Sequence, residues 1–175
     1  MKSVKIILAM LVGVLVGGGV NMLIVVTGPS IIPPPEGVDV SDMESIRNAI
    51  HLFSPRHFVV PFIAHSMGTL CGAWLAMKLT PDYGKALAYS VGLIFLAGGI
   101  AAATMIPAPL WFIVLDLVVA YIPMAWLATQ FVSDNSSVIQ GHNEIITTAP
   151  GIAPIGMRQQ VNLPYRLRSI LRTNF

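Results

Sequence analysis

Four apolar runs, at about residues 1–26, 57–79, 85–106 and 110–132, constrain this chain more than anything else in it. Each is long enough to cross about 30 Å of hydrocarbon at about 1.5 Å of helical rise per residue. Composition points the same way: 55% of the residues are apolar, 10% are charged and the mean hydropathy is +0.75. A soluble domain carries about a quarter charged residues, so lipid is the expected solvent. The expected fold is an all-α membrane protein with four transmembrane helices at 1–132 and an extended tail at 133–175. A net charge of +2, with basic residues not clustered among aromatics, excludes a nucleic-acid binder.

The first run starts behind Lys2 and Lys5 and is broken only by glycines and Asn21. A secretory signal would have a shorter apolar core, about 7 to 15 residues, and an A-x-A cleavage pattern after it. Neither is present, so this run reads as a retained helix. Gly13 and Gly17 give it the G-x-x-x-G spacing that lets two helix backbones approach closely. In the second run Ala64, Gly68, Gly72 and Ala76 recur every four residues and form a second smooth ridge, with His65 beside it. The lone Cys71 excludes an internal disulfide and reads as a small packing residue.

Between the first two runs lies a loop of different character. Pro33, Pro34 and Pro35 favour an extended segment, and Glu36, Asp39, Asp42 and Glu44 follow. Ser41 with Glu44 is a capping-box pattern, and Ile46, Ile50, Leu52 and Phe53 follow at roughly helical spacing. This predicts a short amphipathic helix at the membrane surface, ending at Pro55. The later connections are turns, at Thr80–Gly84 and around Pro107 and Pro109. Lys2, Lys5, Lys78 and Lys85 fall on one side, while the arginines of the long loop are outnumbered by acidic residues. Basic residues near a span resist translocation, so both termini are expected in the cytoplasm of a bacterial inner membrane and the proline-rich loop outside.

That topology sets the depth of each polar residue. Asn21, His65 and Asp116 all fall about 7 to 12 Å from the outer boundary and are expected to form one intramembrane polar cluster, because an embedded ionisable group needs a partner. His65 and Asp116 are expected to face the bundle interior and pair. Such a pair can latch helices, relay protons, or present an imidazole to a haem or chlorophyll, the neighbouring small residues leaving room for a macrocycle or serving packing alone. No cofactor is predicted. A metal site lacks ligands, since His57 lies about 12 Å from His65 along the helix and His51 and Met67 complete no set. No catalytic residue is expected: Ser66 is only the chain neighbour of His65, and G-x-S-x-G is absent.

The loop IPPPEGVDVSDMESI, the glycine-ridged second helix and MIPAPLWF entering the fourth run together resemble a widespread family of small four-helix bacterial inner-membrane proteins of uncharacterised activity. The family's proline-rich P-P-P-x-G-x-D-x-x-D stretch and I-P-x-P-x-W turn both occur here in order. The resemblance covers about residues 1–132. It implies architecture, with residues 33–42 and 107–111 meeting on the outer side, and no activity or cofactor.

The tail is polar and punctuated by Gly and Pro, with too little periodic apolar surface for a core of its own. It is expected to dock on a neighbouring protein through Tyr165, Leu167 and Ile170, while Arg158, Arg166, Arg168 and Arg172 meet acidic protein surface or anionic headgroups. A surface-lying basic tail held by phospholipid is the simpler alternative. Two functions follow as expectations. One is a non-catalytic accessory subunit of a larger, energy-transducing membrane complex, packed through its glycine ridges and anchored by its tail. The other is a small transporter or proton-conducting protein that uses His65 and Asp116. Membrane lipids are partners in both.

Overall fold

In a computed structural model of the 175-residue chain, the structure describes residues 2–131. The expected tail contacts, Arg158 to Arg172 included, lie outside the described residues. Every described element is helical: α1 at Lys2–Thr27, α2 at Met43–Ala49, α3 at Val59–Leu79, α4 at Gly84–Met105 and α5 at Leu110–Val119. Residues 122–131 are again helical and continue α5 in one span, Leu110–Phe131. Four helices, α1, α3, α4 and this composite span, are long and apolar enough to cross a membrane.

Proline sets most of the boundaries. α3 is followed by Thr80 and α4 by Ile106, each the residue before a proline and each held in a non-helical conformation. The proline ring crowds the preceding residue out of the helical region. Pro61 falls in the first turn of α3, where its missing N–H has no intrahelical acceptor to lose. Pro123 has the opposite effect. It cannot donate to the carbonyl of Val119 and its ring crowds that carbonyl, and the helix is interrupted at Ala120 and Tyr121.

The two small-residue ridges meet each other. A Cβ on Gly13 would lie 2.7 Å from the Gly72 carbonyl oxygen and 2.9 Å from the Ala76 Cβ, and one on Gly72 would lie 2.6 Å from the Gly13 oxygen. α1 and α3 therefore run antiparallel with their backbones in contact, and Ala64, Gly68, Gly72 and Ala76 are all buried. The ridges expected to receive a neighbouring protein are consumed within the chain.

Two ends of the bundle can be distinguished. At the lysine end, the core consists of Ala9, Ala73, Ala76, Met77, Leu87, Ala88, Val91, Ala125 and Ala128. At the loop end, Phe58 packs against Phe112 and Trp111, with ring centroids 4.8 and 5.6 Å away. There too the Arg47 guanidinium of α2 donates to the Met105 carbonyl, 2.7 Å from Nη2 and 3.2 Å from Nε, and so caps the end of α4. Arg47 and Phe58, downstream of the proline segment expected to make it, thus join the long loop and the start of α3 to the third turn.

The long loop departs from expectation at one further point. α2 is capped by Asp42, whose carboxylate accepts from the Glu44 and Ser45 N–H groups. Ser41 instead donates its N–H and its hydroxyl to Asp39, which holds the Asp39 carboxyl below its usual range. A carboxylate offers two acceptor oxygens where a hydroxyl offers one, so Asp42 takes the cap. Upstream, the turn closed by Val38 N–H on the Pro35 carbonyl needs a positive φ at its third residue, which Gly37 supplies with φ of 79°.

Candidate functional site

His65 lies in the second turn of α3 and Asp116 in the second turn of α5, so both sit one to two turns below the loop end of the bundle. The structure brings them into direct contact: Nδ1 of His65 is 2.9 Å from each carboxylate oxygen of Asp116. The carboxylate is deeply buried, with 6% of the side chain exposed, while the imidazole keeps 21%. An embedded carboxylate without a partner would be costly, and this contact gives it a charge-assisted one.

The third member is Tyr121. Its hydroxyl donates to Asp116 Oδ2 over 2.9 Å, and its ring stacks on the His65 imidazole at 5.8 Å and 28°. Tyr121 is 1% exposed, buried against Gly99 of α4: a Cβ on Gly99 would lie 2.5 Å from the phenol Cζ, with the hydroxyl closer still. The triad thus ties α3 to α5 and leans on α4. Thr69 Oγ1 donates to the His65 carbonyl at 2.8 Å, a local helix contact that leaves the imidazole free.

Asn21, the third residue expected in the cluster, makes no hydrogen bond to His65, Asp116 or Tyr121. Its Cβ instead faces Gly68, 2.9 Å from where a Cβ there would be. Asn21 has the depth expected of it and faces the α1–α3 contact, not the triad. Gly68 and Gly72, whose size could have left room for a macrocycle beside His65, are filled by α1. His57 serves the start of α3: its Nδ1 accepts from the Ser54 N–H at 2.9 Å, and its ring meets Phe53 edge-on. Among the described residues no three His, Cys, Asp or Glu side chains are placed to share a metal ion.

Below the triad the described interior is mostly apolar. The described buried polar residues are Ser66, Thr69, Asp116 and Thr129. Thr129 is eight residues beyond Tyr121, about 12 Å along the helix, a gap no single hydrogen bond crosses. Ser66 Oγ is buried without a partner among the described residues. The site is therefore a hydrogen-bonded triad near one end of the bundle, resting on a core of alanine, valine, leucine and methionine. No family model, no curated protein and no solved structure matches the chain.

Proposed function

We propose that this chain is a non-catalytic, helix-packing subunit of a larger bacterial inner-membrane assembly, with both termini in the cytoplasm and the His65–Asp116–Tyr121 triad as its internal fastening. The observation that carries this reading is what remains open after the ridges have closed on each other. Among the described residues, Gly18, Gly19 and Gly98 have no atom within 4 Å of where a Cβ would be, on faces of α1 and α4 otherwise lined by exposed Leu11, Leu15, Met22 and Ile94. In lipid, small exposed residues let another helix approach closely enough for dispersion contacts that acyl chains do not match. The family resemblance of the two loop motifs agrees with this architecture and adds no activity.

The transport reading draws its support from the triad itself. Against it stands the spacing of the buried polar side chains: among the described residues, Thr129 follows Tyr121 by eight positions, about 12 Å along the helix. Purification in mild detergent tests the subunit reading. Co-migration with other polypeptides, reduced when residues 133–175 are deleted, is the expected result, and a monodisperse species containing this chain alone refutes it. For transport, His65→Ala should abolish proton or solute flux in liposomes while the helix content holds. Flux that survives the substitution removes that alternative.

A further inference from the structure

Lysine marks one end of the bundle on three helices: Lys2 and Lys5 open α1, Lys78 closes α3 and Lys85 opens α4, and all four side chains are exposed. We propose that this end is a binding surface for anionic phospholipid, with Lys78, held over Trp74, as its anchor for the headgroup phosphate and Lys5 and Lys85 completing the positive field. The surface is separate from the open glycine faces. It needs only that the four spans cross a bilayer, so it stands or falls apart from the subunit reading.

The backbone brings the lysines together. Gly13 meets Gly72 and Ala76, and Gly17 meets Gly68 and Gly72. Carried toward the start of α1, that antiparallel register sets Lys5 level with the turn at residues 80–84 between α3 and α4. Across that turn Gly84 packs on Met77, a Cβ there lying 3.5 Å from the Met77 Cβ, so the helix ends that carry Lys78 and Lys85 adjoin. Trp74 lies one turn inside Lys78 on the same helix and is 40% exposed, and the Lys78 ammonium stands 5.5 Å from the centroid of its ring. That is within cation–π reach, and it restrains a long side chain before any ligand arrives. Tyr83 and Tyr89, also exposed, flank Lys85 in the sequence. Trp and Tyr favour the headgroup level of a bilayer, which puts these ammonium groups at the depth of the lipid phosphates.

Charge chooses the ligand. Among the described residues this end carries four lysines against the one carboxylate of Asp82, a formal balance of +3, and no lysine is paired with a carboxylate. The loop end carries Arg47 and Arg56 against Glu36, Asp39, Asp42 and Glu44, a balance of −2 with histidines neutral. Helix energetics accounts for only part of this asymmetry. A cation in the last turn of α3 meets the helix dipole favourably, whereas Lys5 and Lys85, in the first turns of their helices, oppose it. An anionic headgroup offsets that cost, and a zwitterionic one carries no net charge to do so.

Quenching of tryptophan fluorescence by bromine-labelled lipid tests this on the full-length chain in mixed bilayers of phosphatidylglycerol and phosphatidylcholine. Trp111→Phe with Trp126→Phe leaves Trp74 as the reporter at the lysine end, and Trp74→Phe with Trp126→Phe leaves Trp111 at the loop end. At Trp74 brominated phosphatidylglycerol should quench in preference to brominated phosphatidylcholine, and at Trp111 it should not. Lys78→Gln and Lys85→Gln should each lower the preference by up to about five-fold, while Lys78→Arg should retain it. Salt at about 1 M, which shortens the screening length to about 3 Å, should weaken it. Arg158→Gln, Arg166→Gln, Arg168→Gln and Arg172→Gln combined should leave it unchanged. Equal quenching by the two lipids at Trp74, an equal preference at Trp111, a preference that survives loss of both Lys78 and Lys85, or one that vanishes with the four arginines overturns the proposal. Should Lys78→Gln not fold, Lys85→Gln with Lys5→Gln carries the same test.

Discussion

Gly17 of α1 and Gly68 of α3 lie so close that a Cβ on Gly17 would sit 2.5 Å from the Gly68 carbonyl oxygen, and one on Gly68 would sit 2.8 Å from the Gly17 oxygen. The obstructing atoms are backbone, so nothing can rotate aside. Gly17→Ala and Gly68→Ala should each destabilise the bundle by about 1 to 3 kcal/mol, the cost of overpacking a closed contact. Gly19→Ala, on an open face of the same helix as Gly17, should be neutral or stabilising by up to about 1 kcal/mol from helix propensity. Thermal unfolding in detergent micelles checks the contrast; equal effects at positions 17 and 19 would refute the interlock.

Asp116 is held by two side-chain donors, and removing one leaves a buried carboxylate short of a partner. His65→Leu should cost about 3 kcal/mol or more, because it strands the Asp116 carboxylate, whereas His65→Leu with Asp116→Leu should recover most of that loss. A double-mutant cycle measures the coupling, and the account requires it to exceed the roughly 0.6 kcal/mol average of interhelical hydrogen bonds in membranes. Additive single losses would mean the pair contributes nothing jointly.

At the start of α2, Asp42→Ala should fray the helix by about 0.5 to 2 kcal/mol locally, while Ser41→Ala should leave it capped. Amide hydrogen exchange at Glu44 and Ser45, the two N–H groups that Asp42 accepts from, separates them. Ser41→Ala accelerating these amides as much as Asp42→Ala would return the cap to Ser41.

The Asp39 turn should depend on pH in a defined sense. Its carboxyl is held below the ordinary aspartate range by the Ser41 hydroxyl first and the Ser41 N–H second. A carboxyl with a lowered folded-state value contributes its stability above its unfolded value, and that contribution is lost as pH falls through the lowered one. The Ser41 amide resonance should therefore titrate below the pH at which a free aspartate does, and Ser41→Ala should move that midpoint upward. A midpoint at the free value would show the contact absent in solution.

The spans were legible because hydropathy and proline positions fix them, and the ridges because a four-residue spacing of small side chains has one structural meaning. The His65–Asp116 contact was legible from depth alone: once the ends of the spans are placed, both residues fall at one level. Depth does not give direction around the helix, which is why Asn21 was grouped with them although it faces Gly68. Tyr121 was missed for a related reason. Five residues after Asp116, it would lie about 140° around an unbroken helix, and only the interruption before Pro123 brings its hydroxyl back to the carboxylate. The adjacent Pro123 was the available signal. The partner of the ridges was misassigned because a G-x-x-x-G spacing shows that a helix approaches and not which helix it is.

The central claim is that the open glycine faces receive another protein. A photo-reactive residue placed at Gly19 or Gly98, illuminated in native membranes, tests it most directly, with Leu110 at an exposed helix start as the reference position. Adducts to a polypeptide of different sequence at 19 or 98, exceeding those at 110, are the expected result. Adducts to lipid alone, or only to further copies of this chain, would contradict it.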